Sequence, residues 1–222
     1  MRRLLLAMPL CLGTSILSAQ DSVPPASEVN ASGLFLAAHP VLAPGLSIGG
    51  PTFDQAGAGK FKTETGFGLG VMIGYAQRPI TFYVGLDFAV QAGDNPGDDA
   101  DYGLGHVEIG ARFHLLRAGT RIAPYLNVTS GVRALAAGDV VTEDGTTDIS
   151  LTGGYVGIGG GILYYLSPKV ALDGSIAFAI GKFDRQEAFD VTEDVDLDYT
   201  LSPRVKIGLA WYPVRSRRPP SD

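Results

Sequence analysis

The sequence has 222 residues, of which 45% are hydrophobic and 18% charged, with a formal net charge of −6. This composition, with 30 glycines, is too apolar and too glycine-rich for a disordered chain, so the apolar residues must face a core or lipid. No apolar run of 18 or more residues follows the amino-terminal segment, which argues against a helical membrane protein. The acidic balance also gives no reason to expect a nucleic-acid partner.

Residues 1 to 20 have the order of a secretory signal peptide. Arg2 and Arg3 precede an apolar stretch that ends at Leu17, and small residues follow before Asp21. The only cysteine, Cys11, lies inside this segment, so we expect no disulfide or reactive thiol in the exported protein. Residues 21 to 31 are polar and contain two prolines, which predicts a short mobile lead.

The rest of the chain alternates between large apolar residues and small or polar ones. In the clearest run, residues 66 to 75, five large side chains alternate with four glycines and a methionine. Residues 80 to 91 repeat this pattern with larger partners such as Tyr83 and Asp87. Similar runs follow at 106 to 115, 125 to 133, 155 to 166, 170 to 181 and 204 to 212, after a less regular first run at 33 to 39. The period of two predicts eight β-strands.

The predicted connections alternate strictly between long and short. The long ones are 40 to 64, 93 to 105, 135 to 149 and 182 to 201; the short ones are 77 to 79, 117 to 120 and 167 to 168. Long loops at one rim and short turns at the other are typical of membrane barrels, whose short turns lie in the periplasm. We therefore predict an all-β fold, an eight-stranded antiparallel up-and-down transmembrane β-barrel over residues 32 to 214. A basic, proline-containing tail, residues 215 to 222, follows it, and both termini are expected in the periplasm.

Alternation alone also fits a soluble eight-stranded barrel of the lipocalin kind, which has one polar face per strand. The polar face here consists mostly of Gly, Ala, Ser, Asn and Tyr, which suit a narrow enclosed lumen better than a surface in water. The apolar face carries large side chains, with aromatic residues such as Phe67, Tyr75 and Trp211 near strand ends. This distribution favours the membrane barrel.

The predicted lumen contains charged residues. Its members are Asp87, Glu108, Arg112, Arg133, Asp173, Arg204 and Lys206. Eight strands enclose a space just wide enough to be filled by side chains, and an isolated buried charge is costly. We therefore expect opposite charges to pair, Glu108 with one of the arginines, and to plug the lumen. A conducting or proton-relaying path is the alternative.

The long connections are acidic. In the second, third and fourth of them, only Lys182 and Arg185 are basic. The densest acidic segment offers four possible cation ligands, Asp94, Asp98, Asp99 and Asp101, but lacks the spacing of an EF-hand. We expect a solvated acidic rim, bridged to lipopolysaccharide phosphates by divalent cations, rather than a discrete calcium site.

His106, Glu108 and His114 share one face of a predicted strand and suggest a metal or hydrolase site. His106 and His114 are eight residues apart along the strand, roughly 26 Å of rise, too far for one metal ion. No serine lies at a spacing that supports a nucleophile and base in contact. We therefore predict no catalytic residues, no cofactor and no metal centre.

Three runs carry a resemblance to a known family: residues 66 to 75, residues 157 to 168 with their Ser-Pro turn, and the last strand from Lys206 to Tyr212. Over residues 32 to 214 the chain resembles the small outer-membrane β-barrel proteins of the OmpA transmembrane-domain and OmpX type. The resemblance implies location in the outer membrane of a Gram-negative bacterium. It also implies an insertion signal for the barrel-assembly machinery, which would include Lys206, Gly208, Trp211 and Tyr212.

Family members differ widely in activity, so the fold is a weak guide to function. We expect a non-enzymatic structural or interaction role in the cell envelope, with a closed polar lumen and acidic extracellular loops. A narrow porin-like channel or transporter for small solutes is the alternative. A soluble lipocalin-like binding barrel and an enzyme acting on outer-leaflet lipid are less favoured.

Overall fold

The computed structural model describes residues 33–50, 61–77, 79–93, 101–115, 121–142, 145–188 and 191–213. The predicted signal peptide, the lead at 21 to 31 and the tail at 215 to 222 lie outside the described residues. Within those ranges, no helix is long and apolar enough to cross a membrane.

The described residues form twelve β-strands. They are β1 (Gly33–Ala43), β2 (Ser47–Ile48), β3 (Phe61–Lys62), β4 (Gly66–Gln77), β5 (Ile80–Ala92), β6 (Asp101–His114), β7 (Ile122–Thr142), β8 (Gly145–Tyr165), β9 (Val170–Gly181), β10 (Arg185–Ala188), β11 (Val191–Asp194) and β12 (Thr200–Trp211).

Eight of these strands close into a barrel. Each pairs antiparallel with its sequence neighbour in the order β1, β4, β5, β6, β7, β8, β9 and β12, and β12 returns to pair with β1, for example at Trp211 and Leu36. Closure leaves no unpaired edge along the barrel wall, which is the condition for a β-sheet to cross a membrane. The predicted eight-stranded antiparallel up-and-down barrel is confirmed.

The alternating pattern separates the two faces of the wall. Phe67, Ile109, Ile158 and Ile207 are each more than 60% exposed on the outside, and the other large apolar positions of their strands also face outward. Glycine, alanine, hydroxyl and charged residues point inward. In water such an exterior would cost about 25 cal/mol for every Å² of exposed apolar surface. The apolar exterior therefore suits a lipid environment.

The long connections contain more regular structure than the sequence suggested. The third was predicted as a loop over residues 135 to 149, yet β7 continues to Thr142 and β8 begins at Gly145, with a register shift between Ala137 and Val140. In the fourth, β10 and β11 form a hairpin, and β10 pairs with β8 from Ile149 to Thr152. These extensions lie beyond the large apolar residues of the wall. There, pairing between the strands satisfies the hydrogen-bonding groups of the backbone, and no continuous apolar face is present. The alternation of apolar and polar residues that marks the wall is therefore missing.

Candidate functional site

Four charged side chains meet in the middle of the lumen and form the central ion cluster. Asp87 lies on β5, Glu108 on β6, and Arg204 and Lys206 two residues apart on the inward face of β12. The Arg204 Nη1 atom lies 2.5 Å from Asp87 Oδ2, and its Nη2 atom lies 2.9 Å from Glu108 Oε2. Lys206 Nζ lies 2.5 Å from Asp87 Oδ2 and 3.4 Å from Glu108 Oε1. Two positive and two negative charges thus cancel within a buried space.

A histidine and two tyrosines lie at hydrogen-bonding distance from the two carboxylates. His39 Nε2 lies 2.9 Å from Asp87 Oδ1. Tyr155 donates its hydroxyl to Glu108 Oε2 at 2.9 Å, and the Tyr83 hydroxyl, which donates to Asn127 Oδ1 at 3.0 Å, also lies 3.4 Å from Glu108 Oε1. Each carboxylate is therefore held from several strands, which is how a buried charge avoids the cost of desolvation.

The central ion cluster fits only because glycines lie beside it. A Cβ atom at Gly70 of β4 would overlap Asp87 Oδ1 and His39 Nε2. A Cβ atom at Gly85 of β5 would lie 3.0 Å from Glu108 Cγ, a tight contact that would require Glu108 to shift by a few tenths of an ångström. The glycines on the inward face thus provide the volume that the charged side chains occupy.

A second group, the lower ion pair, lies nearer the short turns. Arg112 Nη1 of β6 is 2.7 Å from Asp173 Oδ2 of β9, and Tyr125 donates its hydroxyl to Asp173 Oδ1 at 2.6 Å. The Arg112 guanidinium also lies 4.6 to 5.3 Å from the ring centres of Phe35, Tyr83 and Tyr125. This single pair is enclosed by aromatic rings that contribute cation–π attraction.

Arg133 of β7 is buried and bonds to neutral acceptors. It donates to the backbone carbonyls of Gly181 and Thr200 at 2.7 and 3.2 Å and to Ser202 Oγ at 2.6 Å. Its guanidinium lies 4.4 Å from the centre of the Phe183 ring. Because Gly181 ends β9 and Thr200 begins β12, Arg133 fastens both ends of the fourth long connection to the opposite wall.

Buried apolar side chains cluster at both ends of the lumen. At the long-connection end lies the mouth cluster, which is Ala43, Leu46, Ile48, Ala89, Tyr102, Leu104, Leu135, Ala137, Leu151, Phe183 and Leu197. At the short-turn end lies the floor cluster, which is Phe35, Ala37, Met72, Ala76, Tyr83, Ala123, Tyr125, Leu163, Tyr165, Ala171, Ala210 and Tyr212. Thr63 helps to fix the mouth cluster, since its hydroxyl accepts from the Leu46 amide at 2.9 Å and donates to Gln91 at 3.1 Å.

All seven predicted lumen charges point inward and are buried, and six of them divide into the central ion cluster and the lower ion pair. Sequence reasoning missed His39, Tyr83, Tyr125 and Tyr155 as their partners. Tyr83, Tyr125 and Tyr155 do occupy the small or polar positions of their runs, so the alternation alone could have indicated them.

The structure does not assemble the other predicted residues into a metal site within the described residues. Asp94, Asp98 and Asp99 lie outside the described residues, and Asp101 is exposed at the start of β6. The described residues contain no group of three or more His, Cys, Asp or Glu side chains that could hold a metal ion. His106 lies edge-on to Tyr155, whereas His114 bonds to Thr81 at 3.0 Å.

The four residues of the suggested insertion signal occupy different environments. Trp211 faces outward and is half exposed, Tyr212 is buried in the floor cluster, and Lys206 belongs to the central ion cluster. A Cβ atom at Gly208 would overlap the carbonyl of Ala38 on the neighbouring strand β1. The four therefore present no common surface in the folded barrel.

No protein-family profile matches the sequence, and no curated protein matches it. Solved structures match the fold. Neisserial surface protein A aligns with a TM-score of 0.54 and 16% identity, covering 82% of this chain and 99% of that one. The outer membrane protein AlkL, determined by solid-state NMR in DMPC bilayers, aligns with a TM-score of 0.50 and 13% identity, covering 86% and 92%. At these identities the likeness concerns the fold, and the chain has the fold of the small outer-membrane β-barrels.

Proposed function

We propose that the protein is a non-enzymatic barrel of the bacterial outer membrane with a structural and interaction role. In this proposal the closed lumen stabilises the wall, and the acidic long connections meet lipopolysaccharide, divalent cations or an external partner. The exposed apolar exterior and the fold shared with outer-membrane proteins support the location. The barrel-assembly machinery would insert the chain after export.

The burial of side chains along the whole lumen is the observation that carries this proposal. A solute entering from the long-connection end would meet the mouth cluster, then the central ion cluster, then the lower ion pair, and finally the floor cluster. Passage would require breaking buried ion pairs in a space of low dielectric constant, which is costly. A steady open pore is therefore not expected.

The test combines folding and conductance. The mature chain, refolded in detergent, should migrate faster on a gel before boiling than after, as a compact barrel does. After reconstitution in a planar bilayer it should give no steady conductance steps, with a known porin as the positive control. Discrete ohmic steps from the native chain would overturn the closed-lumen proposal. Solubility without detergent and no heat shift would favour the soluble barrel.

A narrow channel is the second candidate, and the shared partners of the central ion cluster favour it. Arg204 and Lys206 each contact both Asp87 and Glu108, so one cation can leave while the other keeps both carboxylates paired. This redundancy provides a route to a briefly opened lumen. Rare, short openings that become frequent in Arg204→Ala but not in the exposed control Lys62→Gln would support this candidate.

A further inference from the structure

Two residues at the upper end of the outer wall are basic or aromatic, whereas the connections around them are acidic. Lys182 directly follows β9, and Tyr199 directly precedes β12. These strands pair at Gly181 and Thr200, so Lys182 and Tyr199 lie side by side just beyond the last paired residues. The Lys182 Nζ atom lies 5.1 Å from the centre of the Tyr199 ring. Together they place a cation and an aromatic ring at one point of the rim.

This point lies at the upper edge of the apolar exterior. Ile180 and Leu201 are directly opposite each other, two residues from Lys182 and Tyr199 on the same strands. Because side chains alternate, Lys182 and Tyr199 share the outward face with Ile180 and Leu201. Ile180 and Leu201 are about half exposed, and Tyr199 is 71% exposed. The arrangement matches the aromatic and basic residues found where a membrane meets water.

Arg185 adds a second cation to the same face. It lies opposite Thr152 of β8 in the β8–β10 pairing, and Thr152 alternates with the buried Leu151 and Gly153. Directly opposed residues in an antiparallel pair project from the same side, so Arg185 also faces outward. We refer to Lys182, Arg185 and Tyr199 as the Lys182 patch.

The carboxylates beside the Lys182 patch interact only weakly with its two cations. Lys182 Nζ lies 3.3 Å from Asp196 Oδ1, with side chains 40% and 74% exposed. Arg185 lies opposite Asp194. Exposed ion pairs of this kind contribute about 0 to 1 kcal/mol and are screened by salt. A phosphate carries more charge and more acceptor oxygens than one carboxylate, so it can displace them.

From this geometry we infer that the Lys182 patch binds the headgroup phosphate of a phosphorylated glycolipid in the outer leaflet. The inference rests on the proposed outer-membrane location and deepens it by naming the lipid-binding residues. Lys182 and Arg185 neutralise the phosphate, Tyr199 lies at the level of the headgroup sugar, and the acyl chains run past Ile180 and Leu201. The patch thus combines two cations, an aromatic ring and an adjoining apolar wall, with the exposed carboxylates of Asp184 and Asp196 beside it.

The test measures lipid retention by native mass spectrometry of the chain refolded in detergent. The probes are diphosphoryl lipid A and fully dephosphorylated lipid A. We expect the native chain to prefer the diphosphoryl form, and affinity for it to fall about fivefold for each cation removed in Lys182→Gln and in the double variant with Arg185→Gln. The matched control Lys62→Gln removes an exposed lysine from the same rim and should bind as the native chain does.

Equal affinity of the double variant and the native chain, or of both lipid forms for the native chain, would overturn the proposed site. Heat-modifiable migration, measured on the same samples, separates this failure from failure of the membrane proposal. If migration is heat-modifiable but the variants bind normally, only the Lys182 patch is refuted. If the native chain shows no heat shift, the outer-membrane proposal and the lipid site fail together.

Discussion

The lumen contains two buried ion groups that neutralise charge in different ways. In the central ion cluster, two cations and two carboxylates share partners, and His39 and Tyr155 add further hydrogen bonds. In the lower ion pair, one arginine and one aspartate contact each other inside a ring of aromatic side chains. A shared network can lose one member and remain paired, whereas a single pair cannot. The difference predicts which substitutions the barrel tolerates.

The largest effect is expected from Asp173→Ala in the lower ion pair. It leaves Arg112 buried without its carboxylate, and breaking a buried pair from one side costs about 3 to 5 kcal/mol. Urea unfolding in lipid vesicles measures this loss. The fluorescence of Trp211, the only tryptophan, reports on the transition because this residue faces outward on the last strand.

The double variant Arg112→Met with Asp173→Leu is the control for this prediction. It removes both charges and replaces them with apolar side chains of comparable length, so most of the lost stability should return. If the double variant were as unstable as Asp173→Ala, the loss would come from disturbed packing in the floor cluster. The interpretation of the lower ion pair as a charge pair would then be wrong.

A smaller effect is expected from Lys206→Met in the central ion cluster. Arg204 still contacts both Asp87 and Glu108, and His39 and Tyr155 still bond to those carboxylates. The loss should approach that of a hydrogen bond to a charged group, about 1.5 to 3 kcal/mol. The measurement is the same urea titration. A loss as large as that of Asp173→Ala would show that the network has no redundancy.

The wall of the barrel could be predicted from sequence because the lipid-facing and lumen-facing residues differ in size and polarity at every second position. The first strand shows where this signal fails. In β1 the outward Leu36 and Leu42 alternate with the inward Phe35 and Val41, so both faces are apolar and the inward side of His39 is not apparent. In the last predicted strand the two faces are easily distinguished, since the inward Arg204 and Lys206 alternate with the apolar Val205 and Ile207.

The ion-pair partners could not be assigned from sequence, because contacts across a lumen depend on the tilt and stagger of the strands. Arg112 and Asp173 lie on β6 and β9, 61 residues apart, and no local pattern connects them. The mouth cluster was also missed, although isolated apolar residues such as Leu46, Phe183 and Leu197 in otherwise polar connections are a usable signal. Each of these three side chains is buried.

The smallest of the three stability effects concerns volume rather than charge, and it sharpens the contrast between the lumen and the outer wall. Gly70→Ala adds a methyl group against Asp87 and His39, whereas a Cβ atom at Gly174 of β9 meets no atom within 4 Å. Overpacking should cost Gly70→Ala about 1 to 3 kcal/mol, because the central ion cluster must shift to admit the methyl group. Gly174→Ala should change stability by no more than about 0.5 kcal/mol, as is usual for a surface substitution with open space beside it. Equal unfolding midpoints for the two variants would mean that the central ion cluster moves freely. A freely moving cluster could not seal the lumen, so this comparison also tests the closed state on which the proposed function depends.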